Sequence, residues 1–377
     1  MLGILSVYRS DQQQSELTVG VIYAGTGPAS FAGKPEHDVL THLEADYLNA
    51  PASGKRFKLV FRDSGGDNDK AIRYLEEFSK NKQCISIIGP TGSGESIAVA
   101  AKVGELQDKI PVLSLAASSK IVQNPSDPSR TNDWVFKFAQ NDSLAAEKLA
   151  AIIKSELDEK SVVFLHSDDG FGKSGAGVFP EVAKTHGLNL SPQLFSFAAN
   201  LSSPRAIVDN LPNSSGGFVV WGSAPGPAML VRAIREKNPN ARIYLSHGNA
   251  SQDFIESVGG SGNGIVVVGS RLLMPQAALG QDSRDQNIKK FQDFWSNKTG
   301  KPQSHFAGHA YDAYQLLRQI VNGGETDRVS IRKKIETTSN FQGITGVFRF
   351  SESDHAGLDV GAFEVFRIQD SKFVPYK

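Results

Sequence analysis

Six short segments, each small and polar and each following an apolar run, carry residue types suited to holding a small anionic or polar molecule. They read AGTGPAS (24–30), GPTGSGES (89–96), SLAASS (114–119), HSDDGFG (166–172), WGSAPG (221–226) and SHGNAS (246–251). Glycine, alanine and serine let a ligand approach the backbone, and a helix that follows presents free N–H groups to a carboxylate. Any one such loop is equally well explained as a turn and helix cap. Six in series favour a binding surface. Ser30 and Phe31 close the first loop and Phe171 sits in the fourth. These two rings lie in loops, where they either stack on a ligand or fill the loop floor.

The second loop follows an apolar run, opens a helical stretch and keeps two glycines at the spacing of a phosphate-binding loop, but Glu95 stands where the lysine belongs. A carboxylate there repels the β- and γ-phosphates, which argues against nucleotide hydrolysis; Ser93 and the N–H groups after it remain a cradle for a carboxylate. Catalytic patterns are missing: there is no G-x-S-x-G, no H-E-x-x-H and no close histidine pair suggesting a metal, and Cys84 lies inside an apolar run. His166 and His247 each end a strand-like run, as loop hydrogen-bonders or, for His247, as a partner for an anion. Asp168 and Asp169 precede a glycine, which fits helix caps better than an acid/base pair.

The elements that must carry these loops alternate between short β-rich runs and longer amphipathic stretches, so the expected class is α/β. Strands are expected at 17–23, 57–61, 84–89 and 110–116, with helices over 33–48, 71–78 and 95–106 between them. A connection follows at 120–132, where Asn124, Pro125, Asp127 and Pro128 stop regular structure. The second half repeats the pattern: helices at 142–157, 173–186 and 227–237, and strands at 161–167, 193–197, 217–222, 241–246 and 264–269. Helices at 285–297, 307–321 and 329–337 and a closing pair of strands, 347–350 and 362–368, complete the reading. Ligands of open parallel sheets sit beyond the carboxyl ends of the strands, where the six loops lie.

Composition narrows the partners. With 377 residues, one hydrophobic core is too few, and two domains are expected. Forty Lys+Arg balance forty Asp+Glu, leaving no field to attract nucleic acid. No apolar run approaches the roughly 18 residues of a membrane span, and one cysteine cannot make an internal disulfide or a thiolate metal cluster. Met1 to Ser10 lacks the basic start and apolar length of an export signal.

Several stretches together resemble the type I periplasmic binding proteins of ABC transporters, in particular the branched-chain amino acid (Leu/Ile/Val) group. They are VGVIYAGTGPASFAG (19–33), RDSGGDNDKAIRYLEEF (62–78), CISIIGPTGSGESIAVA (84–100), IPVLSLAASS (110–119), VVFLHSDDGFGKSG (162–175), GFVVWGSAPGPAMLVRAI (217–234), FAGHAYDAYQLL (306–317) and the F-x-G-x-T-G-x-x-x-F ending from 341. The resemblance implies two Rossmann-like lobes joined by three hinge crossovers around a central cleft, with 16–134 plus 275–345 in lobe one and 135–274 plus 346–377 in lobe two. It further implies capture of a solute by hinge closure in the periplasm, delivery to an ABC permease, no reaction, no cofactor, and a monomer. The family's carboxylate contacts carry over to Ser93 and to Ala116, Ala117 and Ser118. Phe171 takes the place of the family's usual tyrosine, and Gly222, Ser223 and Ala224 face the ligand from lobe two.

One departure bears on the ligand. Amino-acid binders of this family place a Glu or Asp after the strand equivalent to 241–246, where it meets the ligand's ammonium; this chain has His247, Gly248, Asn249 and Ala250. A buried ammonium without a counter-charge is costly, so an aromatic or branched acid without an α-amino group is expected, unless Asp168 or Asp169 supplies the charge. A ligand-sensing regulator of the same fold is the alternative function, and an enzyme with a Rossmann-like lobe a third.

Overall fold

The computed structural model describes residues 16–50, 54–157, 161–212, 216–223 and 225–376. The expectations for Met1 to Ser10 and for Ala224 therefore fall outside the described residues. The first lobe is built from β1 (Leu17–Tyr23), α1 (Ser30–Asn49), β2 (Phe57–Asp63), α2 (Asn68–Lys80), β3 (Cys84–Ile88), α3 (Ser93–Val103), β4 (Val112–Ser114) and β5 (Val135–Lys137). The second holds α4 (Asp142–Leu157), β6 (Val162–Ser167), α5 (Gly170–Thr185), β7 (Phe195–Phe197), α6 (Arg205–Asp209), β8 (Gly217–Trp221), α7 (Gly226–Lys237), β9 (Ile243–Leu245), α8 (Gln252–Val258) and β10 (Val266–Ser270). The chain then returns to the first lobe with α9 (Ser283–Thr299), α10 (His305–Asn322), α11 (Arg328–Glu336) and a small hairpin, β11 (Phe341–Gln342) with β12 (Val347–Phe348). It crosses once more and ends in the second sheet with β13 (Phe363–Gln369) and β14 (Lys372–Pro375). Among the described residues the chain thus passes between lobes three times.

The first sheet is parallel, in the order β2-β1-β3-β4-β5; the second runs β14-β13-β10-β9-β8-β6-β7, with β13 antiparallel to both its neighbours. Strands covered on both faces read as unbroken apolar runs whose alternate residues serve different layers. In β1, Val19 and Val21 join Val39, Leu40 and Leu43 of α1 and Tyr314 of α10, while Ile22 joins Leu75, Phe78, Val99 and Val103 of α2 and α3. In β6, Val162 and Phe164 pack on Leu149, Ile153 and Phe179 of α4 and α5, while Val163 and Leu165 share the core of Leu230, Val231 and Ile234 of α7.

Several elements lie differently from their sequence-based expectation. Val135–Lys137, expected to open the second lobe, is the edge strand β5, in register with β4 from Val112↔Val135 to Ser114↔Lys137. Residues 346–350, also expected there, are held to the first lobe by Phe348 on Phe138 (4.9 Å between centroids) and Phe350 on Phe136 (5.7 Å). The two closing strands do not pair with each other: β12 pairs with β11, and β13 with β10. No helix among the described residues is long and apolar enough to cross a membrane.

Candidate functional site

The carboxyl ends of both sheets face a cavity of about 310 Å³ between the lobes. Its first-lobe wall begins with α3, whose first-turn amides have no intrahelical partner and bring the positive end of the helix dipole. Ser93, the first residue of that helix, lines the cavity; its Oγ accepts the Ser118 amide at 3.3 Å, which leaves the hydroxyl proton for a ligand. Ala116 and Ala117 line the same wall, bare of side chain beyond Cβ.

Ser118 is placed otherwise. It is fully buried behind the wall, 2.6 Å from Ser174 Oγ of α5 in the other lobe. Ser174 donates to Asp142, so its single proton is used and Ser118 must donate to Ser174. In this arrangement its hydroxyl fastens one lobe to the other and does not reach a ligand. Behind it Lys137, completely buried, donates to the Ala117 carbonyl, to the Ser118 carbonyl (3.2 Å) and to Asn141 Oδ1 (2.5 Å), and burial lowers its ammonium to about 7.

Glu95, two residues after Ser93 on α3, also lines the cavity. Its Oε2 accepts the Gly92 amide at 3.1 Å, and Oε1 has no partner. Burial, with Asp67 and Asp63 nearby, raises this carboxyl to about 7. Asp169 also lines the cavity, but it caps α5, accepting from the Gly172 amide (2.8 Å) and from Ser167 Oγ (2.8 Å). Asp168 accepts the Ala199 amide at 3.0 Å.

Aromatic rings form the remaining walls. Phe31 meets Phe306 edge-on at 5.4 Å, and Phe171 meets His247 edge-on at 5.1 Å; all four line the cavity. Ser30 starts α1 without lining it. From the second lobe Ser223 lines it, whereas Gly222 and Asn249 lie behind: the Gly222 carbonyl accepts Asn249 Nδ2 at 2.9 Å and Ser246 Oγ at 3.2 Å, which sets the loop that presents His247. His247 is buried, neither ring nitrogen has a partner among the described residues, and burial holds its imidazole well below the usual range.

His305, Phe306 and His309 at the start of α10 line the cavity too, and sequence reading missed them. Their signal was the His305/His309 pair, four residues apart on one helix face, which the sequence reading passed over in finding no close histidine pair. The lobes come close here and at α5: His305 Nδ1 lies 2.7 Å from the Ala250 carbonyl of the second lobe, and a Cβ at Gly170 would sit 2.6 Å from the Gly94 amide nitrogen.

Comparison with known proteins matches residues 16–372 to the family model described as periplasmic binding protein. Among curated proteins, the Leu/Ile/Val-binding protein homolog 3 of Brucella melitensis is 20% identical over 96% of this chain and 93% of its own length. Among solved structures, an extracellular ligand-binding receptor from Rhodopseudomonas palustris HaA2 superposes with a TM-score of 0.84 at 24% identity, covering 96% of this chain and all of that one. A branched-chain amino acid transporter substrate binding protein from Streptococcus pneumoniae, solved with isoleucine, gives 0.80 at 19% identity, covering 95% and 97%.

Proposed function

Since the chain belongs to the periplasmic binding protein family, we propose that it captures a small carboxylate between its lobes in the periplasm and hands it unchanged to an ABC transporter permease. The observation that carries this reading is the cavity itself, walled by both lobes and sized at about 310 Å³ for a small molecule. On its first-lobe side the free amides at the start of α3 and the Ser93 hydroxyl suit a carboxylate. Phe31, Phe171 and Phe306 suit an apolar body.

The preferred ligand is an aromatic or branched acid without an α-amino group. The second-lobe loop offers a neutral His247 in place of a carboxylate, and Asp169 already caps a helix. Glu95 favours a second reading, an α-amino acid, because its Oε1 is unpartnered. With its carboxyl raised to about 7, however, Glu95 is only part-ionised near neutrality and is a weak counter-charge.

Titration calorimetry with benzoate, 4-methylpentanoate, leucine and phenylalanine separates the two. The acids are expected to bind more tightly, and Glu95→Gln is expected to strengthen them by removing a like charge. Tighter binding of leucine or phenylalanine, weakened by Glu95→Gln, would reverse the assignment.

A further inference from the structure

The histidines at the cavity are held in fixed tautomers by what they touch outside it. A carbonyl oxygen only accepts, so His305 Nδ1, 2.7 Å from the Ala250 carbonyl, carries the proton, and Nε2 is left as a bare acceptor. Gln140 donates its Nε2 to the Thr345 carbonyl (3.2 Å), which turns its Oε1 to His309 Nε2 at 2.7 Å. His309 therefore donates from Nε2 and keeps a bare acceptor at Nδ1. Neither His305 Nε2 nor His309 Nδ1 has a partner among the described residues, both rings are 2% exposed, and both line the cavity 5.3 Å apart. Burial keeps both imidazoles neutral, well below their ordinary range.

A buried acceptor without a donor costs free energy, and a ligand that brings the donor recovers it. We propose that the ligand is a hydroxy acid, whose single O–H proton goes to the bare nitrogen of His305 or of His309 while its carboxylate lies at the start of α3. The inference rests on the carboxylate reading above and names the second group that the ligand carries. An ammonium would offer donors as well, but it is a buried cation that finds two neutral imidazoles and, in the part-charged Lys137, a like charge near His247 and His309, whereas a neutral O–H is a matching donor without that cost. His247, with both ring nitrogens open among the described residues, can donate its N–H to the oxygen of the same hydroxyl.

Calorimetry on the full chain tests this with matched pairs: benzoate against 4-hydroxybenzoate, 3-phenylpropanoate against 3-(4-hydroxyphenyl)propanoate, and 4-methylpentanoate against 2-hydroxy-4-methylpentanoate. The hydroxylated member of at least one pair is expected to bind tenfold or more tightly than its parent. That ratio should fall toward one in His309→Leu or in His305→Phe, whichever removes the acceptor that the hydroxyl uses, whatever either does to affinity as a whole; a ratio unchanged in both overturns the assignment. If every parent acid equals or beats its hydroxylated partner in the native protein, the hydroxyl assignment is overturned while the carboxylate reading stands. If leucine or phenylalanine outbinds every acid, the hydroxyl assignment and the preference for acids without an α-amino group are both overturned.

Discussion

The carboxyl group of Glu95 occupies the place of a phosphate-binding lysine, and the structure turns that substitution into a cap for the Gly92 amide. Raised to about 7 against an ordinary 4.5, its protonated form contributes stability that is complete below about pH 4.5 and is lost as the pH rises through about 7. Glu95→Gln cannot ionise, so its stability relative to the native protein should climb over that window by up to about 3 kcal/mol, measured by urea unfolding of the ligand-free protein at pH 4.5 and pH 8. A difference that is flat with pH would show that Glu95 ionises normally. Reading the strand-end loops beside the family resemblance named Ser93, Ala116, Ala117, Phe171, Ser223 and His247, which line the cavity. It could not distinguish them from Ser118 and Asn249, whose side chains are used up by neighbours far apart in sequence. Nor could it find His305 and His309, which sit at the beginning of a helix and reach the cavity only because α10 packs along α1.

Long periodic elements were the most legible, and some short ones were lost, although β4, β7 and β9 fall within expected strands. The helix expected at 142–157 coincides with α4, whereas β5 went unseen because its three residues carry a buried lysine between Phe136 and Phe138 and so look like a polar connection. The helices α6 and α8, of five and seven residues, are too short to show a period of 3.6. The aromatic cluster on β5 makes a prediction at this scale. Phe348 is fully buried and touches Phe138, Phe350 and Phe341, so Phe348→Ala should cost about 3 kcal/mol or more in chemical unfolding, by loss of transferred surface and the cavity left behind. A cost below 1 kcal/mol would mean that the 346–350 segment is not anchored to the first lobe.

Between the lobes, side chains are small where backbones meet. Gly170 at the start of α5 leaves no room for a Cβ, since the Gly94 nitrogen and Cα would lie at 2.6 and 2.8 Å. Gly170→Val should therefore prevent the lobes from reaching this separation. Every acid that binds is expected to lose affinity alike, by tenfold or more, with the unfolding midpoint of the ligand-free protein little changed; unaltered affinities would show that the ligand is held without this approach. The triple passage of the chain also governs when each half can be finished. The first core waits for Ala310, Tyr314 and Leu317 of α10, and β13 slots between β14 and β10 in the second sheet. A nascent polypeptide leaving the ribosome thus keeps its first half unfinished until α10 emerges and its second until the last strands do, instead of settling one domain at a time from the amino terminus.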